Sequence, residues 1–117
     1  DHVVSYATRV DQALLYRLSG DRNPLHSDPT FAAAAGFETP ILHGLCTYGF
    51  TGRALLHAVC NSDPARFGSM GGRFKSPVVP GEVLDVHAWE IDDDLVLFQT
   101  RVEDRVVFDS GIMTLRN

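Results

Sequence analysis

Cysteine is scarce in this chain, acidic residues outnumber basic ones, and long apolar runs are missing. Cys46 and Cys60 are the two cysteines among 117 residues. Both fall on one predicted helix, fourteen residues and therefore roughly 21 Å apart, beyond the reach of a disulfide. Free thiols are expected, which suits a reducing compartment such as the cytoplasm and leaves a peroxisomal location open for a eukaryotic source. Without CxxC spacing, neither zinc nor thiol redox chemistry is indicated. Lys and Arg number 10 against 15 Asp and Glu, a net charge of −5. That balance argues against nucleic acid or an anionic membrane as partner. No stretch of eighteen apolar residues exists, so no membrane-spanning helix is predicted, and the start carries no signal-peptide pattern. The chain opens at Asp1 rather than methionine, as expected of a processed or excised segment.

What is present reads as one domain, residues 1–117, of the α+β class. Val3 to Ala7 is a strand candidate. Thr8 and Asp11 have the spacing of a capping box, and Gln12 to Leu18 reads as a short amphipathic helix stopped at Gly20. Asp28-Pro29 opens a second short helix, Thr30 to Ala35, with Gly36 as its stop. Its four alanines suggest close packing beneath something else. Ile41 to Cys60 is apolar almost all round, the pattern of a buried helix. Gly44, Gly49 and Gly52 within it are expected to serve close approach by a neighbour. Phe67–Phe74, Val83–Ile91, Leu95–Val102 and Val106–Leu115 read as strands, the last three joined by turns at Asp92–Asp94 and Glu103–Arg105. One buried helix followed by antiparallel strands implies a sheet wrapped about that helix, with edges that a second copy or a homologous domain would cover.

The chemistry concentrates in the loop Gly20-Asp21-Arg22-Asn23-Pro24-Leu25-His26-Ser27-Asp28-Pro29. A carboxylate, an amide and an imidazole converge there on a segment stiffened by two prolines. Taken singly, Asp21 and Asn23 are ordinary turn formers. Asp21 and His26 are the acid–base pair in one loop whose spacing can hold a water between them. Asn23 either orients Asp21 and the loop backbone or is a turn residue; both readings stand.

The run from Tyr16 to Phe37, followed by Pro40–Phe50 and Gly72–Leu84, strongly resembles the MaoC-like, type 2 (R-specific) enoyl-CoA hydratases, over about nine tenths of the chain. Within that family the catalytic C-terminal half of the two-hot-dog hydratases is most similar. The resemblance implies a hot-dog fold, reversible hydration of trans-2-enoyl-CoA to (3R)-3-hydroxyacyl-CoA, and no metal or redox cofactor. It assigns the attacking water to Asp21 and His26, and it makes His43 a local packing and hydrogen-bonding residue. It also implies a partner: a homodimer, or a homologous hot-dog chain or domain.

Hydration of an enoyl thioester also needs a donor for the thioester oxygen. The first amides of the buried helix are unpaired and favour negative charge, which points to the Gly44 N–H. The phosphates of coenzyme A need cations. Arg73 and Lys75, two apart on a strand, are the first candidates, with Arg53 and Arg66 beside them; Arg101, Arg105 and Arg116 read as solvated charges. His57 reads as a core or interface residue, His2 and His87 as surface residues. His26 and Asp28, with Asp21 and His43 nearby, could ligate a metal, yet the metal-free reading already uses them. Two other functions fit such a chain: an acyl-CoA thioesterase, and a non-catalytic subunit that completes a partner's acyl pocket.

Overall fold

A β-meander forms the centre of the protein because three strands in succession alternate inward apolar and outward polar residues. The computed structural model describes residues 1–20 and 23–116. The strands are β1 (His2–Ala7), β2 (Phe67–Phe74), β3 (Val83–Asp92), β4 (Leu95–Val102) and β5 (Arg105–Leu115). They form one antiparallel sheet in the order β1-β3-β4-β5-β2. Leu84, Val86 and Ala88 of β3, with Val96, Phe98, Thr100 and Val102 of β4, are buried on one face. On β5 a register irregularity opposite Phe98–Arg101 turns both Val107 and Phe108 inward, which tightens the wrap of the sheet.

Helix α3 (Gly44–Val59) lies in the concave face of this sheet. Cys46, Thr47, Thr51, Ala54, Leu55 and Val59 are buried. Leu45, Gly49, Arg53 and His57, spaced four apart, form an exposed stripe on its other side. The expectation of burial all round is therefore corrected: within this chain the sheet covers one face of the helix. The glycines divide in the same way. A Cβ on Gly44 would stand 3.2 Å from the Phe74 ring, and one on Gly52 3.3 Å from the Met70 sulfur, whereas one on Gly49 would meet nothing within 4 Å. Gly44 and Gly52 allow close approach, and Gly49 does not.

Between β1 and α3 run two short helices, α1 (Gln12–Tyr16) and α2 (Pro29–Ala34). Thr8 does not cap α1. Its hydroxyl donates to Glu82 O at 2.7 Å and accepts from the Gly81 N–H at 2.9 Å. A partner distant in sequence outcompetes the local helix end for the same hydroxyl. Asp28 does cap α2, its carboxylate accepting from the Thr30 and Phe31 amides. Of the four alanines only Ala32 is buried, so the idea that all of them pack beneath another element is also corrected. Cys46 and Cys60 are free and buried, and burial pushes the Cys46 thiol up to about 11. No helix among the described residues is long and apolar enough to cross a membrane.

One polar contact ties helix to sheet inside the core. The Thr51 and Thr100 hydroxyls, both fully buried, lie 2.6 Å apart. Removing one hydroxyl strands the other, at about 1–3 kcal/mol, whereas removing both leaves a near-isosteric apolar contact. Thr51→Val and Thr100→Val each lower stability in urea titration by that amount. The double variant recovers most of the loss, giving a double-mutant coupling of at least about 1 kcal/mol.

Candidate functional site

His26 belongs to a single turn of 3₁₀ helix, Pro24–His26, that the local sequence dictates. The Asn23 side-chain oxygen accepts from the Leu25 amide at 3.0 Å, and Pro24 occupies the first position, where no donor is needed. This turn is stitched to the extended residues before α3. Ile41 N–H donates to Leu25 O at 3.3 Å, and His26 Nδ1 lies 2.8 Å from Ile41 O. A carbonyl oxygen only accepts, so Nδ1 carries the proton, and in the neutral ring Nε2 is left as a base. The His26 ring stacks on His43, with centroids 3.9 Å apart and planes 26° apart. His43 is 1% exposed, and the Tyr16 ring lies 4.6 Å from it.

His26 lines a cavity of about 320 Å³ together with Phe37, Ile41, Leu42, Gly44, Thr47, Phe74, Lys75, Ser76, Pro77, Val78 and Val107. The wall is mostly apolar. Gly44 is the first residue of α3, so its N–H has no carbonyl a turn below it in the helix and sits at the positive end of a sixteen-residue dipole. Leu42 N–H donates to Val78 O at 2.7 Å, which fixes the helix start against the 77–81 loop. His26 and Gly44, the first residue of α3, thus line one largely apolar space.

A family model for the MaoC like domain matches residues 1–110. The chain belongs to the MaoC-like domain family. It is 61% identical over 102 residues to the enoyl-CoA hydratase ChsH3 of Mycobacterium tuberculosis, covering 86% of this chain and 36% of that protein. The crystal structure of a MaoC-like dehydratase from Phytophthora capsici superposes with a TM-score of 0.97 at 43% identity, covering all of this chain and 40% of the other. An (R)-hydratase from A. caviae superposes with a TM-score of 0.72 at 26% identity, covering 98% of this chain and 92% of that one. The fold is the hot-dog fold of these MaoC-like hydratases. The chain spans about two fifths or less of the curated relatives it matches.

Within this MaoC-like domain the site residues expected from sequence are brought together only in part. His26 and Gly44 share the cavity, and Asn23 caps the turn that carries His26. Asp21 lies outside the described residues. Lys75 lines the cavity, with Arg73 two residues before it on β2. The Lys75 ammonium lies 3.8 Å from the Asp109 carboxylate. Asp109 is held below the usual carboxylate range, first by the Gln99 side chain and the Ser110 amide, then by Lys75. Arg53 and Arg66 do not join this group. The Arg53 guanidinium stands over the Tyr6 ring at 4.9 Å, on the exposed side of α3. Arg66 lies beside Ala58, Val59 and Asn61 at the far end of that helix, roughly 20 Å of helix away from Gly44. His57 is exposed, its Nδ1 2.7 Å from the Ser62 hydroxyl, and so is not a core residue.

Several lining residues, Phe37 and Phe74 among them, escaped the sequence reading. Phe74 ends β2, packs on the Tyr48 and Phe108 rings beside Gly44, and lines the same cavity as Lys75. Phe37, just after the Gly36 stop, carries no sequence pattern that marks it. Arg105, expected to be a solvated charge, instead pairs with Glu82 at 2.8 Å beside a recess that shares Phe37, Ile41, Ser76 and Pro77 with the cavity.

Proposed function

We propose that this domain adds water to trans-2-enoyl-CoA to give (3R)-3-hydroxyacyl-CoA, and catalyses the reverse dehydration. The observation that carries the reading is the His26 imidazole, fixed by Ile41 O with Nε2 as base, in one apolar cavity with the Gly44 amide. The names of the relatives, an enoyl-CoA hydratase and an (R)-hydratase among them, support the same reaction.

In this reading Asp21 and His26 hold one water between them. The water oxygen bonds to C3 as one of its protons passes to the pair, the C2–C3 π electrons move toward C2, and C2 takes up a proton. Negative charge builds on the thioester oxygen meanwhile and is met by the Gly44 N–H at the helix start. The apolar wall raises the worth of that contact by excluding water. Nothing beyond the CoA thioester and water is required. Lys75, with Arg73 beside it, is the cation set assigned to the CoA phosphates.

Asp21→Asn and His26→Ala each lower kcat on crotonyl-CoA by about 10²–10⁴-fold while the thermal midpoint stays near wild type. Retention of more than about a tenth of the rate, a barrier change under about 1.4 kcal/mol, refutes the assignment. Enoyl absorbance must disappear without release of free thiol; thiol release would mean thioester hydrolysis instead. The alcohol formed must be (3R).

Gly44→Val tests the oxyanion contact without touching an ionisable group. A Cβ here already presses on the Phe74 ring at 3.2 Å, so a branched side chain displaces either that ring or the thioester. The expected loss in kcat is about a hundredfold. Wild-type turnover in Gly44→Val removes Gly44 from the mechanism.

The functional unit on this reading contains two hot-dog domains, supplied by a second copy or a homologous partner. The outer edges of β1 and β2 have no strand beyond them among the described residues. Leu14, Leu15, Leu18 and Leu45 are 50–73% exposed, a costly arrangement for a monomer. Sedimentation at assay concentration should show a dimer or a heteromer, and a fully active monomer would overturn this point.

A further inference from the structure

We propose that Tyr16 and His43 are positioning residues for His26, forming a stacked ring series that sets the plane of its imidazole; this rests on the hydratase reading given above. A hydrogen bond from Nδ1 to Ile41 O fixes the tautomer but leaves the ring able to swing about the bond. The second side-chain torsion of histidine is broad, so rotamer preference does not fix the plane either. Contact with a second ring does. His43 stands 3.9 Å from His26 and within 26° of parallel, and it is 1% exposed. Its backbone is held on both sides, because His43 O accepts from the Cys46 and Thr47 amides and Leu42 N–H is bonded to Val78 O.

Tyr16 continues the series at 4.6 Å from His43. It ends α1, a five-residue helix with no side-chain cap bond. Among the apolar residues of that helix, Leu14 and Leu15 point to solvent. Ala13 is buried with Leu42 and Cys46, and Tyr16 packs against the same cluster. Spaced three apart, Ala13 and Tyr16 form one helix face. The inward face of α1 therefore delivers one large group, and that group meets the histidine on which His26 rests.

The test is a pair of substitutions at Tyr16, read by kinetics and by NMR of ¹⁵N-labelled histidine. Tyr16→Phe keeps the ring, and kcat stays within about twofold of wild type. Tyr16→Leu removes it, and kcat falls about tenfold while KM on crotonyl-CoA holds within about twofold. In the wild-type protein the ring protons of His26 must be shifted upfield by the ring beneath them, with Nδ1 as the protonated nitrogen. In Tyr16→Leu that upfield shift shrinks. Wild-type His26 ring protons at random-coil positions overturn the proposal whether or not the variants fold. So does an unchanged kcat in Tyr16→Leu, or an equal loss in the Phe and Leu variants. If the protein in its two-domain assembly fails to hydrate crotonyl-CoA but its His26 shifts behave as stated, the reaction assignment is wrong and the ring stack stands.

Discussion

The arrangement depends on three extended residues, Ile41 to His43, and on the backbone bonds they make. Ile41 is bonded through its N–H to Leu25 O, and its carbonyl accepts from the His26 ring. Leu42 N–H reaches Val78 O, and His43 O accepts from the Cys46 and Thr47 amides of α3. Four separate parts of the chain are thereby held to one short segment: the 23–26 turn, the 77–81 loop, the helix start and, through Tyr16, the end of α1. A loop of about fifteen residues between His26 and Ile41 would otherwise leave the imidazole and the Gly44 amide free to drift apart. Placement to within a fraction of an ångström is what a base and an oxyanion donor need in order to act on one substrate.

The same segment explains why α3 begins where it does. His43 has extended backbone angles, φ −59° and ψ 135°, and its side chain makes no capping bond to the helix. An ordinary cap residue such as Ser or Asp would satisfy an early amide with its own side chain. Here that place is given to a histidine whose ring stacks on His26, and the adjoining residue is a glycine that lines the cavity. Helix stability at this end is sacrificed to local chemistry, and the buried face from Cys46 to Val59 makes up for it.

Much of this was legible in the sequence wherever the cause is local. Asp28-Pro29 and Gly36 mark the bounds of α2 because a carboxylate cap, a proline at the first position and a left-handed stop are short-range devices. The alternation of Leu84, Val86 and Ala88 against Asp85 and His87 fixes the inward face of β3. The loop from Gly20 to Pro29 stood out as chemical, and His26 does share a cavity with Gly44. What failed depends on distant partners. Thr8 has the spacing of a cap, but Glu82 and Gly81 arrive from seventy residues away to take its hydroxyl. Arg53 and Arg66 are equally basic in sequence, yet one lies over Tyr6 and the other at the wrong end of α3. The outer side of α3, with Leu45, Gly49, Arg53 and His57, is left uncovered by this sheet, because a segment rich in apolar residues does not show which of its faces the sheet covers.

The hydrophobic interior is itself divided, and the division separates stability from function. One cluster, with Leu55, Val86, Phe98, Phe108 and Met113, joins the middle of α3 to the centre of the sheet. The other, with Ala13, Leu42, Cys46, Val78, Leu84, Val102 and Val107, lies under the functional site and contains the residues flanking His43 and Gly44. Large-to-small changes in the first cluster open cavities chiefly at the cost of stability, except at Phe108, whose ring packs on the cavity residue Phe74. In the second, the atoms removed are those that seat the helix start and the 77–81 loop, so a shift of a few tenths of an ångström is transmitted to the amide and the imidazole. Val78 and Val107 belong to this cluster and line the cavity directly. The packing that supports the site is also the wall against which a substrate lies, so an apolar substitution here changes the shape of the cavity and the alignment of its polar groups together.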